Sequence, residues 1–272
     1  MNISKLKQKP KTFARLFGIS PDKFDQLAAS VHPLWLKAEE KRLRHPRKIK
    51  KGSGRRYGLT FEESLAMLLL YTRAYVTHTF LSALFNTHES GICRYFARLR
   101  PSLESVFDLP TRNRDLSEDE IAGLVVDATE QHTERRKNGT GYSGKKKAYT
   151  VKTQLVTDKK GNIRHIAKSV PGNIHDKKLF DVSKIRLPDK SKGDLGYLGT
   201  NITIPIKSSK LHPLNQKQKD RNRRFSKSRI VIEHVFASLK IFRILADRFR
   251  GHLANYHQYF LIVCGLRNLA RA

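Results

Sequence analysis

Cysteine is scarce in this chain of 272 residues: only Cys93 and Cys264 occur. Their spacing suits neither a disulfide framework nor a zinc site, and such usage points to a reducing compartment. Acidic residues are also few, 24 against 54 Lys and Arg, which leaves a formal net charge of +30. A charge of that size repels itself unless a polyanion neutralises it, so nucleic acid is the expected partner. The basic residues are spread along the chain and not gathered on one amphipathic face, which argues against a membrane surface. No apolar run reaches the length of a membrane span and no apolar leader precedes the first helix, so a soluble, unprocessed, cytoplasmic protein is expected. Internal repeats are absent. Hydrophobic residues make up 39%, enough for a core mainly in the second half, and the length suits two domains.

The stretch around which the chain is organised is residues 121–126, Ile-Ala-Gly-Leu-Val-Val, followed by Asp127. A short, continuous apolar run reads as a strand buried on both faces. If it stops on Asp127-Ala128-Thr129-Glu130, it delivers a carboxylate to the sheet edge, where α/β proteins place their ligands. A solvated turn aspartate would explain Asp127 equally well when it is taken alone.

The N-terminal third reads as helical. Ser20-Pro21-Asp22 is a helix start, with Phe24, Leu27, Ala28 and Val31 on one face and His32-Pro33 as its end. Residues 37–56 form a charge run with a Gly-Ser-Gly hinge, either a solvated linker or a strap along a phosphate backbone. Thr60 and Glu63 form a capping box for the next helix. A short helix over 77–85, a turn at 86–88, and a second helix over 90–100 stopped by Pro101 give the pattern of a helix-turn-helix. Arg94, Arg98 and Arg100 are its expected exposed, DNA-contacting residues. The expected division is a basic helical arm and linker at 1–58, a helix-turn-helix region at 59–110 and a catalytic domain at 120–272.

In the second half, 147–157 reads as a strand, 158–162 as a hairpin turn and 163–169 as the returning strand. A helix is expected over 175–184. Asp194 sits in the glycine-bearing stretch Gly193-Asp-Leu-Gly-Tyr-Leu-Gly199, and 202–207 reads as a short edge strand because of Pro205. A long helix over about 222–250 places Arg229, Glu233 and Lys240 within roughly 40° of one another, with Glu233 at the margin of the buried face. An Arg229–Glu233 surface ion pair is the alternative use of those side chains. The final helix, 256–269, is apolar and expected on the back of the sheet.

Taken together, Val-Val-Asp127-Ala-Thr-Glu, Asp194-Leu-Gly-Tyr-Leu-Gly, and Arg229-x3-Glu233-x6-Lys240 resemble the DDE transposases of bacterial insertion sequences, in the group typified by insertion sequence five. The stretch Gly172-Asn-Ile-His175-Asp176 is similar to one those proteins carry between their two aspartates. The likeness spans about residues 60 to 270. One departure is Ser226, which stands beside Phe225 where the broader family carries a tyrosine three residues before the arginine.

The resemblance implies a mixed α/β fold, with a helical DNA-binding domain before an RNase H-like catalytic domain whose first three strands are antiparallel. It implies catalysis by Asp127, Asp194 and Glu233 holding two Mg²⁺ ions, for which Mn²⁺ substitutes, with Arg229 and Lys240 on DNA phosphates. The substrates would be terminal inverted repeats and target DNA, handled by a homodimer or higher oligomer. Two rivals remain open: a metal-dependent nuclease of the same fold that cuts without joining, and a non-catalytic, domesticated DNA-binding protein.

Overall fold

A computed structural model describes residues 1–42, 58–107, 123–135, 140–185, 187–211 and 213–272. Most of the charge run at 37–56, the junction near 111–120, and Ile121 and Ala122 of the expected strand lie outside the described residues. The chain divides into two compact units. One holds Met1–Asp108, Ile241–Leu245 and Gln258–Ala272; the other holds Leu109–Lys240 and Ala246–His257.

The first unit is helical. Helices α1 (Ile3–Lys7), α2 (Pro10–Phe17) and α3 (Pro21–Arg42) precede α4 (Phe61–Ala74), α5 (His78–Phe85) and α6 (Glu89–Val106). The capping box at α4 forms as expected: the Glu63 amide donates to Thr60 Oγ1 at 3.2 Å and the Thr60 amide to Glu63 Oε2 at 2.8 Å. From Ser64 to Thr72 every residue of α4 is buried, so this helix is the axis around which the others pack. Phe13, Phe17 and Phe24 cluster between α2 and α3, with ring centroids 4.4 and 5.4 Å apart for Phe13 with Phe17 and Phe24.

Two prolines expected to end helices lie inside them instead. α3 continues past Pro33 to Arg42, and α6 continues past Pro101 to Val106. An interior proline costs about 3 kcal/mol. Beyond Pro101 the buried Leu103 and Ser102 continue the apolar seam begun by Ile92, Phe96 and Leu99. Beyond Pro33, Trp35 packs on Phe61 at 5.5 Å. Each large side chain buried this way contributes about 1.5–3 kcal/mol, enough to offset the proline.

Asn86, in the left-handed region at φ 48, closes α5, and the Thr87 amide donates to Ser82 O at 3.0 Å, making the turn into α6. The last helix, α10 (Tyr256–Leu269), corrects another expectation. From Gln258 onward it belongs to this helical unit, with Tyr259 against Tyr71 at 5.8 Å and Gln258 Nε2 donating to Glu104 at 2.9 Å. A run buried from Tyr259 through Cys264 needs helices around it, and α4 and α6 supply them.

The second unit is built on a sheet. β1 (Val125–His132) pairs antiparallel with β3 (Ala148–Thr157) along its whole length, from Val125 opposite Thr157 to His132 opposite Thr150. β4 (Ile163–Ile166) returns beside β3 through a turn in which Asp158 Oδ1 accepts from the Asn162 amide at 2.8 Å and Gly161 takes φ +79. β2 (Tyr142–Ser143) and β5 (Val170–Pro171) also pair with β3. On the free side of β1, Val125 bridges Lys192 in parallel, and Lys192 bridges Thr203 in parallel. The order across the sheet is therefore β4, β3, β1, Lys192, Thr203: an antiparallel block extended by parallel bridges, the mixed sheet that the resemblance implied.

The first strand does not stop at Asp127. It runs on to His132 because β3 offers a backbone partner at every step. The expected strand at 202–207 reduces to the bridge at Thr203. The long helix starts earlier than expected, as α8 (Gln216–Lys240), because Asn215 and Gln218 form a reciprocal cap, with amide-to-side-chain bonds of 2.9 and 3.0 Å. It also ends earlier, and a separate turn, α9 (Arg243–Ala246), follows.

Below the sheet Leu124, Val126 and Val156 pack with Phe180 of α7 (Asp176–Ser183), Ile185, Leu187, Tyr197 and Ile202. The segment leading into α7 is pinned at Gly172, whose amide donates to Thr150 O at 2.9 Å. A Cβ on Gly172 would run into the Thr150 side chain and approach its carbonyl at 3.1 Å. Gly172→Ala is expected to cost about 1–3 kcal/mol, read as a lower denaturant midpoint at unchanged slope; a midpoint equal to the parent's would contradict this packing.

Candidate active site

The parallel bridge between Val125 and Lys192 sets the site. The Val126 amide donates to Lys192 O and the Lys192 amide to Leu124 O, both at 2.8 Å. Two residues further along each chain stand Asp127 and Asp194, close enough for the charge of Asp194 to act on Asp127. Asp194 then caps a short 3₁₀ turn (Leu195–Tyr197), its Oδ1 accepting from the Gly196 amide at 2.9 Å. Leu124, Val125 and Val126 are buried, which fixes β1 and leaves Asp127 half-buried at the point where the parallel pairing ends.

Asp127 is held on two sides. Its Oδ1 accepts from the Ala128 amide at 2.7 Å, and its Oδ2 from Arg229 Nη2 at 3.2 Å. Arg229 reaches it from α8, so the guanidinium pairs with Asp127 and not with Glu233. Burial raises the Asp127 carboxyl from 3.8 to about 6. The Ala128 amide and Arg229 oppose the rise, while the charges of Asp194 and Asp176 add to it. Asp176 is the first residue of α7. It lines, with Asp194, a cavity of about 430 Å³ whose wall also includes Glu130, Lys145, Lys152, Asn173 and His175. Tyr197 is fully buried beneath this group, donates to Gln154 Oε1 at 3.3 Å and has its phenol raised by burial and then by the three aspartates.

Of the three carboxylates expected to act together, Asp194 lies near enough for its charge to act on Asp127, and Glu233 does not complete a metal-holding group with them. It is exposed on α8 one turn after Arg229, not at the margin of the buried face. The reason lies in the helix: only Ile232, Val235 and Leu239 are buried there, a seam too narrow to draw Glu233 inward. Among the described residues, no three of His, Cys, Asp and Glu come close enough together to hold a metal ion. Lys240 is exposed at the end of α8.

On α6, Arg94 is exposed and donates to Ser90 O at 3.1 Å, and Arg98 is half-buried with Glu39 at 3.8 Å. Arg100 is not an exposed contact residue. It is buried with its guanidinium 4.9 Å from the Tyr259 ring centroid, because it stands one turn after Phe96 on the buried face of α6.

Sequence reasoning missed Lys152. This buried lysine donates to Ile174 O at 2.7 Å and Asp176 Oδ1 at 2.9 Å, and pairs with Glu130 at 3.2 Å. The lone charge in the β-rich stretch from Tyr149 to Thr157 was its signal, and Glu130 is its cross-strand partner.

Two neighbouring carboxylates at the junction of parallel and antiparallel pairing, in a chain whose N-terminal helices include a helix-turn-helix, define a DDE-type endonuclease architecture. Residues 126–268 match the model for the DDE superfamily endonuclease, and residues 57–108 match that for the helix-turn-helix of DDE superfamily endonucleases. The chain is 34% identical over 98% of both chains to the "Probable transposase for insertion sequence element IS702" of Microchaete diplosiphon. It is 26% identical to the "Putative transposase for insertion sequence element IS112" of Streptomyces albus G, covering 96% of this chain and 95% of that one. The chain belongs to the DDE transposases of insertion sequences. No solved structure matches it significantly. No helix among the described residues is long and apolar enough to cross a membrane.

Asp127 and Asp194 fit a hard divalent cation, as endonucleases of this superfamily generally require. Both offer carboxylate oxygens, and the Asp127 carboxyl is raised by burial first and then by the charges of Asp194 and Asp176.

Two predictions follow from this geometry. Below about pH 4 the Asp127 carboxyl holds its proton folded or unfolded. Between about pH 4 and 6 only the folded state retains it, so stability falls as pH rises, by about 2–3 kcal/mol in total. Asp127→Asn should therefore gain on the metal-free parent across that range in parallel melting curves; a pH-independent difference would refute the burial argument. Arg94→Ala should weaken DNA binding and lower the salt slope by about 1, whereas Arg100→Ala should cost about 1–2 kcal/mol of stability through the lost cation–π contact. Equal effects of both substitutions on DNA affinity at equal stability would contradict the placement.

Proposed function

We propose that this protein is a DNA transposase that binds the terminal inverted repeats of its element, cleaves the DNA 3′ ends and joins them to target DNA. The observation that carries the reading is the neighbouring pair Asp127 and Asp194, joined by full-length similarity to relatives named as transposases. In this reading 59–110 reads DNA and the catalytic region begins near residue 120. Asp127 and Asp194 would hold divalent metal, with Glu233 of α8 completing the set for two Mg²⁺ or Mn²⁺ ions. When bound, such ions neutralise a phosphodiester's charge and supply an activated nucleophile and a stabilised leaving oxygen.

The chain's own groups do the rest. Asp127 changes from a carboxyl that titrates near 6 to a fully ionised ligand once positive charge arrives. Arg229, already on Asp127, and Lys240, within roughly 40° of it around the helix, present positive charge to a phosphate. The half-buried setting of Asp127 limits water around the scissile group. Hydrolysis frees a 3′-OH at the element end, and that hydroxyl then attacks target DNA, with neither ATP nor a covalent enzyme intermediate required. Two ends must be held together, so a homodimer or higher oligomer on DNA, at the nucleoid in the cytoplasm, is part of the proposal.

Pre-cleaved end DNA mixed with the protein, Mg²⁺ and a target plasmid should give joined products. Asp127→Ala, Asp194→Ala and Glu233→Gln should each lower joining by a factor of 10² or more (order of magnitude, as for loss of a metal-site group). Cleavage without joining would leave the nuclease reading in place. DNA binding with neither reaction would leave only a DNA-binding protein.

A further inference from the structure

Asp176 has no role in the reaction as described, yet its setting is more constrained than that of a surface helix start. Its Oδ1 accepts from the buried Lys152, which is itself held by Glu130 and Ile174 O. Its Oδ2 is thereby turned toward Gly196. A Cβ on Gly196 would meet Asp176 Oδ2 at 2.8 Å and Asp194 Oδ1 at 2.9 Å, so the two carboxylates converge on one spot that only a glycine leaves open. Both line the same cavity of about 430 Å³. Among the described residues, Lys152 pairs with Glu130 and Asp176 and Arg229 with Asp127, while Lys145 lines the same cavity.

We propose that Asp176 is a positioning residue of the cleavage site: Lys152 fixes it against Gly196, and from there its charge strengthens the hold of the Asp127–Asp194 pair on a divalent cation. Resting on the metal-dependent reading above, the assignment adds a carboxylate from α7 to those from β1, the loop after Lys192, and α8. Lys152 keeps two other acceptors, Glu130 and Ile174 O, so its own burial does not require the Asp176 charge. Asp176→Asn keeps the shape and a hydrogen-bond acceptor for Lys152 while removing the charge.

The test is a Mn²⁺ titration of the full chain without DNA, followed by calorimetry, on the parent, Asp194→Asn and Asp176→Asn, with DNA binding and thermal melting as checks of folding. The parent should bind Mn²⁺, Asp194→Asn should lose that binding, and Asp176→Asn should bind on the order of tenfold more weakly, the loss expected for one nearby charge. Parent-like affinity in a folded Asp176→Asn variant overturns the proposal. Should that variant fail to fold, Gly196→Ala decides, because it keeps every charge but forces the two carboxylates apart: weaker Mn²⁺ binding supports the assignment and unchanged binding overturns it. A parent chain that binds no Mn²⁺ overturns the metal-dependent reading itself, and the inference falls with it.

Discussion

A pair of backbone hydrogen bonds, Val126 to Lys192 and Lys192 to Leu124, does more than join two pieces of sheet. Parallel pairing fixes register, and the bridge of Val125 with Lys192 brings the segments that carry Asp127 and Asp194 side by side. That constraint makes neighbours of two aspartates 67 positions apart in sequence. The buried cluster of Leu124, Val126, Phe180 and Tyr197 holds the register, since a slip of one residue would turn Val126 out and Asp127 in. The acidic site is thus a consequence of the core beside it.

The charges around that site arrive from separate elements, each with its own anchor. Arg229 comes from α8, which is seated by Ile232, Val235 and Leu239. Asp176 comes from α7, whose first turn is tied back to the sheet by Lys152. A half-buried carboxylate with one arginine and two acidic neighbours is costly in the absence of a cation. The raised carboxyl of Asp127, lifted by burial and then by its acidic neighbours, expresses that cost. In the helical unit the balance is different: α4 is buried along its length, and its apolar surroundings hold α5 and α6 in the arrangement that exposes Arg94.

The sequence made the local features legible where a single physical rule dominates. The Thr60–Glu63 cap, the hairpin turn at Asp158, the α5–α6 turn at Asn86 and the strand over 148–157 each follow from chemistry within a few residues. What was missed depends on distant partners. Pro33 and Pro101 lie within helices because contacts beyond them, Trp35 on Phe61 and the buried Leu103, offset their local cost. The last helix packs with helices because its apolar residues find α4 and α6, which periodicity alone does not reveal. In the site, Asp127 and Asp194 were recoverable from family likeness, while the inward turn of Arg100 required knowing that Tyr259 lies beside it. Lys152 left a trace as a charge in a β-rich strand, but its task could be understood only once Glu130 and Asp176 were seen on either side. The exposure of Glu233 follows from how few residues of α8 are buried, a property that a helical wheel overestimates.

Strand pairing brings Asp127 and Asp194 together, and in the proposed function they share one cation. A crystal of the protein grown with Mn²⁺ and its end DNA, analysed by anomalous scattering at the manganese edge, tests it most directly. An anomalous peak in contact with both Asp127 and Asp194 is the expected result. Manganese bound elsewhere, with Asp127 still paired only to Arg229, would contradict the account.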